Sequence, residues 1–232
     1  MKMIRKTAFP VLIIMIVIVM GASVYAFKFD FTTVTDIVDN IKKTFGKIDS
    51  YQANFTIVSD KMGKTKRQTG IIKYKANNKL CIEFSQPYGQ KIVSNGKMMW
   101  IYIPAMNVVA EQDLNSGSGI FSAGTRSGLS WLFSKYHYRF ASKEQPETQS
   151  DGSRKYTLFL KQKESRSGFR KLQLWVSEKY FITRAKGETT TGKTVDISFS
   201  DLKTNIQMPN GIFKLDIPGR ARVIKNPMIT EE

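Results

Sequence analysis

The sequence predicts a mainly β protein: a long antiparallel meander, preceded by one amphipathic helix and interrupted once by an insertion. Three observations predict it. The hydrophobic period is two from Tyr51 onward, turn dipeptides recur roughly every ten to fifteen residues, and the stretch just before Tyr51 has a helical period.

The helix comes from "TDIVDNIKKTFGKIDSY", which places Ile37, Val38, Ile41, Phe45 and Ile48 at helical spacing. Asp36 and Asp39 stand near its start and Lys42 and Lys43 later, the order the helix dipole prefers. The strands follow as "QANFTIVS" (52–59), "TGIIKYKA" (69–76), "KLCIEFSQ" (79–86), "QKIVSNG" (90–96) and "KMMWIYIP" (97–104). After the insertion come "KYTLFLKQK" (155–163), "RKLQLWVSE" (170–178), "FITRAKGE" (181–188) and "TVDISFSDL" (194–202). Their punctuation is Met62-Gly63, Asn77-Asn78, Asn95-Gly96, Asp151-Gly152, Ser167-Gly168, Thr191-Gly192 and Asn210-Gly211. Asn95-Gly96 predicts a hairpin with both central residues at positive φ.

The strand after that turn poses a problem. Alternation puts Met99, Ile101 and Ile103 on one face and Met98, Trp100 and Tyr102 on the other, and both sets are apolar. A sheet with one wet face needs polar alternation here, so something must cover the second face.

The insertion lies between Leu114 and Phe140, where "NSGSGIFSAGTRSGLSWLFSKYHYRF" joins a Gly/Ser-rich loop to a helical pattern in Leu129, Leu132 and Phe133. Apolar residues in so long a connection suggest a lid or a binding loop.

Composition sets the bounds. The 232 residues, 41% hydrophobic, suffice for one sizeable core, so a single domain is expected over residues 27–232. Residues 1–26 read as a secretory signal peptide. Lys2, Arg5 and Lys6 precede an uncharged run from Thr7 to Ala26 that ends in Val24-Tyr25-Ala26, with cleavage expected after Ala26. An uncleaved anchor helix is the alternative. In an exported chain the single cysteine, Cys81, cannot form an intramolecular disulfide, and the core alone must hold the fold. The net charge of +17, or +14 without the three leader cations, points to an anionic surface such as phospholipid or lipopolysaccharide; export disfavours nucleic acid. The bland alternative is that the lysines solvate and blunt a β-rich surface.

Chemical motifs weigh little. Gly187-Glu-Thr-Thr-Thr-Gly192-Lys193-Thr194 matches the phosphate-loop pattern letter for letter, but Val195 to Ser200 alternates as a strand and offers no helix N-terminus to a phosphate. His137 is the single histidine and no nucleophile elbow accompanies it. No His, Cys or carboxylate cluster has metal-ligand spacing. Neither enzyme activity nor a cofactor or metal is expected. What remains is a surplus of apolar side chains, including Phe55, Phe121, Trp131 and Phe159. As a set they fit an apolar cavity between a curved sheet and a helical lid, suited to a long hydrocarbon.

Along nearly all of the chain after the leader the sequence resembles the periplasmic lipoprotein-carrier family. The resemblance runs in order through "IDSYQANFT", Gly70-Ile-Ile-Lys-Tyr-Lys and Leu80-Cys-Ile-Glu-Phe to "QPYGQKIVSNGKMMWIYIP", its most specific segment, and ends in "GIFKLDIPGRARVI". It implies an incomplete antiparallel β-barrel, a half-barrel covered by a lid of short helices. It further implies a monomeric periplasmic carrier that takes lipoproteins from an inner-membrane ATP-driven release complex. Delivery would be to the outer membrane, through an acceptor or directly to an anionic membrane surface. By alternation and family position the acyl-chain cavity is expected from Leu80, Ile82, Phe84, Trp100, Tyr102 and Trp175, with the aromatic set of the Met98–Ile103 strand on the concave side. Phe45, Leu129, Leu132 and Phe133 are expected in the lid. Ala76-Asn77 stand where family members commonly carry the Arg-Pro associated with lid closure, and Ile82 stands in place of a family tryptophan. A sensor or regulator on the same half-barrel and a polyanion-binding module are the alternatives.

Overall fold

Helix α1 (Val34–Gly46) begins at a cap that the sequence itself supplies. The Thr33 hydroxyl accepts from the Asp36 amide at 3.2 Å and the Asp36 carboxylate accepts from the Thr33 amide at 2.8 Å, a reciprocal capping box. Ile37, Val38 and Ile41 share one stripe of the helix and are fully buried. The computed structural model describes residues 32–114, 126–142, 145–164 and 168–226; the expected leader and Phe121 lie outside the described residues. Thr33–Glu232 forms one compact unit.

Six strands follow α1 as a meander: β1 (Ser50–Lys61), β2 (Lys64–Lys75), β3 (Lys79–Gln86), β4 (Lys91–Asn95), β5 (Met98–Ile103) and β6 (Val108–Asp113). Helix α2 (Arg126–Lys135) leads into β7 (Tyr136–Phe140), and a two-residue strand, β8 (Glu147–Thr148), precedes β9 (Arg154–Gln162). A second meander then runs through β10 (Phe169–Ser177), β11 (Ile182–Thr189) and β12 (Thr194–Thr204), and β13 (Arg222–Lys225) ends the described chain. The two meanders join where β12 pairs β1, giving one 13-stranded sheet in the order β13-β6-β5-β4-β3-β2-β1-β12-β11-β10-β9-β7, with β8 beside β9. Every pair is antiparallel except β13 with β6. The sheet stays open, with β13 and β7 at its ends, so the fold is a mostly β incomplete barrel, with two α-helices among the described residues.

Both helices lie on the same face, called the inner face below. Ile37, Val38 and Ile41 of α1 and Leu129 and Phe133 of α2 pack with Leu158, Leu160, Leu172 and Leu174 of β9 and β10. A second cluster joins Tyr51, Ala53 and Phe55 to Ile72, Tyr74, Leu80 and Phe84, and Phe45 touches both clusters. Burial among these rings pushes the Tyr51 phenol well above its ordinary value.

The hairpin expected at Asn95-Gly96 turns one residue later. Gly96 has φ +96 whereas Asn95 remains in β4, so Gly96-Lys97 form the two-residue turn, glycine first. The Asn95 side chain takes the other part of the work, accepting from the Lys97 and Met98 amides at 2.9 Å each. Asn210-Gly211 is not a hairpin turn either; it opens a short 3₁₀ turn, Asn210–Phe213.

That 3₁₀ turn belongs to a strap that follows β12 and crosses the outer face. Met208 and Phe213 of the strap are buried against Cys81 and Val93, the outward residues of β3 and β4. The Lys75 ammonium donates to the Met208 carbonyl at 2.9 Å and to Asn210 Oδ1 at 3.2 Å, and Ser50 Oγ donates to the Ile206 carbonyl at 2.6 Å. The second apolar face is therefore covered in part by the chain's own C-terminal region.

Candidate functional site

Register decides which side chains share the inner face. Cross-strand partners point the same way. Leu80 pairs with Ser94 and Ser94 with Met99; Ile82 pairs with Ile92 and Ile92 with Ile101. Since Leu80, Ile82 and Phe84 pack in the inner cluster, Met99, Ile101 and Ile103 are the inward set of β5. Trp100 pairs with Val93, and Val93 with Cys81, so Trp100 and Tyr102 face outward.

The same logic places Trp175. It pairs with Arg184, and Arg184 pairs with Ser198 on the outward side of β12, while the inward series runs Leu174, Ala185, Ile197, Ile57. The Arg184 guanidinium lies 4.5 Å from the Trp175 ring centroid, and Arg139 stacks at 4.8 Å on Phe159 in the same manner.

The expected cavity set therefore divides. Leu80, Ile82 and Phe84 lie together on the inner face, and Trp100, Tyr102 and Trp175 lie on the opposite one. The expectation that the aromatic set of β5 lines the face under the helices is corrected by the pairing, which puts it on the opposite face. Trp100 finds an outward use for its polar end, its indole N–H donating to Glu111 Oε2 at 3.0 Å. Ile57, Ile92 and Phe199 are inward residues that sequence reasoning did not assign to the cavity, and Ile101 belongs to the set it placed on the other face; the signal that could have found them is strand pairing, which alternation alone does not carry.

Across β3, β4 and β5 the inward positions are Leu80, Ile82, Phe84, Ile92, Ser94, Met99, Ile101 and Ile103, and none is charged. The outward positions of the same strands include Lys79, Glu83 and Lys91. Ile57, Ile82, Ile92, Ile101 and Phe199 are only half-buried, unlike the closed cluster beneath α1 and α2, where Leu158 and Leu160 are fully buried. The inner face thus has a packed half under the helices and an apolar half that the described residues leave partly accessible. Phe45 stands at the junction, edge-to-face with Tyr51 at 6.5 Å and with Phe181 at 5.9 Å. Of the expected lid residues, Leu129 and Phe133 are buried and Leu132 and Phe45 pack against the same cluster. Trp131 points away, 45% exposed.

The family model of the outer membrane lipoprotein carrier protein LolA matches residues 46–216. The chain belongs to the LolA family. An outer-membrane lipoprotein carrier protein of Neisseria meningitidis serogroup B is 24% identical over 82% of this chain and 87% of its own length. One of Legionella pneumophila is likewise 24% identical, over 80% of this chain and 88% of its own. An uncharacterized conserved protein of Thermus thermophilus shares the fold with a TM-score of 0.55 at 14% identity, over 82% of this chain and 98% of that one.

The departures from the LolA pattern have structural partners. Asn77 takes φ +67 in the β2–β3 turn, a conformation closed to proline. Lys75, next to the position of the family arginine, is engaged by the strap on the outer face and makes its bonds there. The phosphate-loop pattern is a hairpin: Gly187 pairs with Leu172 and Val195 inside the sheet, and Gly192 sits in the β11–β12 turn. His137 is exposed on β7. Burial, with the Glu83 charge, pushes the Cys81 thiol up against the opposing pull of Lys91 and Lys73, which makes it a poor nucleophile. Among the described residues no group of three or more His, Cys, Asp or Glu could hold a metal ion.

One outward cluster has a pH signature. Glu83 accepts from Lys73 at 2.6 Å and pairs with Lys91 at 3.0 Å. The Lys73 bond, opposed by burial and aided by Lys91, holds the Glu83 carboxyl below its ordinary value. A depressed carboxylate contributes stability that is complete above its unfolded value of 4.5 and is lost as pH falls through the folded one. Glu83→Gln is expected to flatten the fall in urea midpoint between about pH 7 and about pH 3. The effect is small, because the side chain is 41% exposed. An acid limb as steep in the variant as in the parent removes this assignment.

Proposed function

We propose that this LolA-family protein is a periplasmic carrier that holds the acyl chains of lipoproteins on the inner face of its open sheet and moves them from the inner to the outer membrane. The observation that carries the reading is the uncharged inward surface of β3, β4 and β5, on which Ile82, Ile92, Ile101 and Ile103 stay half-buried between buried Leu80, Phe84 and Met99, continued by half-buried Ile57 and Phe199. A lipid chain in water costs about 0.8 kcal/mol per methylene, on the order of 10 kcal/mol for a whole chain, so a lipoprotein needs such a surface to cross an aqueous space. Release then follows from a higher affinity of the final membrane, with no bond made or broken by the carrier. Loading from an ATP-driven inner-membrane complex and unloading to an outer-membrane acceptor complete the proposal.

The test is titration of residues 27–232 with a fluorescent fatty acid. Ile82→Glu and Ile101→Glu each set a charge on the proposed binding face, and each is expected to weaken binding by about tenfold or more. Trp100→Phe and Trp175→Phe, on the outer face, are expected to stay within about twofold, a difference of less than about 0.5 kcal/mol. Parent protein that takes up no fatty acid, or outer-face changes that weaken uptake more than inner-face ones, would sink the reading. A two-vesicle transfer assay separates a carrier, which moves its load, from a regulator that only binds it.

A further inference from the structure

The most exposed large apolar residues gather at one end of the sheet. Met62 and Tyr88 are each 91% exposed and Met106 is 67% exposed. They occupy the β1–β2, β3–β4 and β5–β6 connections, and in an antiparallel meander alternate connections lie at the same end. Two of the three tips lie close together, since a Cβ placed on Gly89 would lie 3.4 Å from Pro104 Cγ.

Cations surround these tips. The β1–β2 hairpin reads Lys61-Met62-Gly63-Lys64-Thr65-Lys66-Arg67, and all of these residues are exposed. Because β2 pairs with β3 only from Thr69 onward, the hairpin projects past the end of β3. The Asp60 carboxylate is occupied in shaping the turn, accepting from the Gly63 amide at 3.3 Å and the Thr65 hydroxyl at 3.0 Å. No ion pair among the described residues neutralises Lys61, Lys64, Lys66 or Arg67. Lys193 adds a charge from the adjoining β11–β12 tip, next to the Asp60–Thr194 pair. Beside Met106, Asn107 Nδ2 donates to the Arg220 carbonyl at 2.8 Å, which brings exposed Arg220 and Arg222 to the same end.

We infer that this end of the sheet docks on an anionic phospholipid surface, with Met62, Tyr88 and Met106 entering the interface and the surrounding cations on lipid phosphates. The negative potential of such a surface attracts a cluster of basic residues, and apolar tips add burial that a soluble polyanion cannot offer. Tyrosine is favoured at the headgroup level for its apolar body and polar tip. The docking surface shares no residue with the acyl-binding face.

Flotation of residues 27–232, which include the whole compact unit from Thr33, with vesicles of phosphatidylethanolamine and a minority of phosphatidylglycerol tests the inference. Binding is expected to fall by about tenfold on pure phosphatidylcholine, in high salt, or in the K61S/K64S/K66S/R67S variant. Met62→Ser, Tyr88→Ser and Met106→Ser combined is expected to lose about tenfold at unchanged charge, while fatty-acid uptake stays at the parent level. Parent protein that does not float with anionic vesicles overturns the inference. So does a triple serine variant that binds them like the parent, which marks a purely electrostatic polyanion site. Failure of fatty-acid uptake with vesicle binding intact overturns the carrier reading and leaves the docking surface standing.

Discussion

Phe213→Ala is expected to lower the free energy of unfolding by about 3–5 kcal/mol, the range for deleting a fully buried phenylalanine. Phe213 is 1% exposed and is the largest of the fully buried side chains among the described residues, closing the strap over Cys81 and Val93. Met208 is the strap's other buried apolar anchor, and Ile206, Ile212 and Leu215 pack only partly buried around the pair, so the ring carries the largest single share of the strap's burial. A second readout separates loss of the strap from general loosening. Cys81 is wholly buried beneath it, and in the variant its thiol is expected to react with a disulfide reagent under native conditions while the inner-face clusters keep their protection against hydrogen exchange. A urea midpoint within error of the parent, with Cys81 still unreactive, would falsify the role given to the strap.

Gly70→Ala is expected to destabilise by about 2–3 kcal/mol, in the range for overpacking a closed core, although the same change at an open strand position stabilises by about 0.4–1 kcal/mol. Its sign is set by three neighbours. A Cβ on Gly70 would run into the Glu83 backbone carbonyl and lie 2.9 Å from both Phe55 Cζ and Phe84 Cα. Two of those atoms are backbone of β3, which cannot yield without loosening the β2–β3 pairing that begins beside a register shift at Thr69/Gly70. The missing side chain is also what lets Phe55 and Phe84 meet edge-to-face at 5.3 Å over the strand. Chemical denaturation checks the stability. The fatty-acid titration checks the consequence for the site, since Phe84 and Ile82 are carried by the strand that must shift. An unfolding midpoint raised by the substitution contradicts the close approach.

Much of the fold is legible in the chain because it rests on local rules. The capping box at Thr33 and the stripe of Ile37, Val38 and Ile41 specify α1 without any knowledge of the sheet. Alternation specifies most of the strands, and the helical pattern of Leu129, Leu132 and Phe133 falls within α2. The one-residue displacement of the β4–β5 turn also follows local chemistry: Asn95 is more useful as an acceptor for two amides than as a turn residue at positive φ. That displacement changes the pairing by two positions, an even number, and so leaves every side chain on its original face.

The candidate site is less legible because a face is a property of paired strands. Alternation divides Met98–Ile103 into two apolar sets and says nothing about which one meets Leu80 and Ile82 across β4. Size and aromaticity favour Trp100 and Tyr102 for a cavity, yet pairing through Val93 to Cys81 turns them outward. Trp175 misleads for the same reason, its ring being held by Arg184 on the outer face.

The sequence by itself determined α1 and the strands of the two meanders apart from β6, the absence of an intramolecular disulfide and the family likeness that the match over residues 46–216 upholds; it did not single out β6, β7 or β8. Tertiary structure alone decided which apolar set faces the helices, that a strap of the chain's own C-terminal region covers the outward residues Cys81 and Val93 of β3 and β4, and that Met62, Tyr88 and Met106 share one end. The physical reason is separation along the chain: period and capping are written within a few residues, whereas the pairing of β1 with β12 joins residues such as Phe55 and Phe199 that only folding brings together.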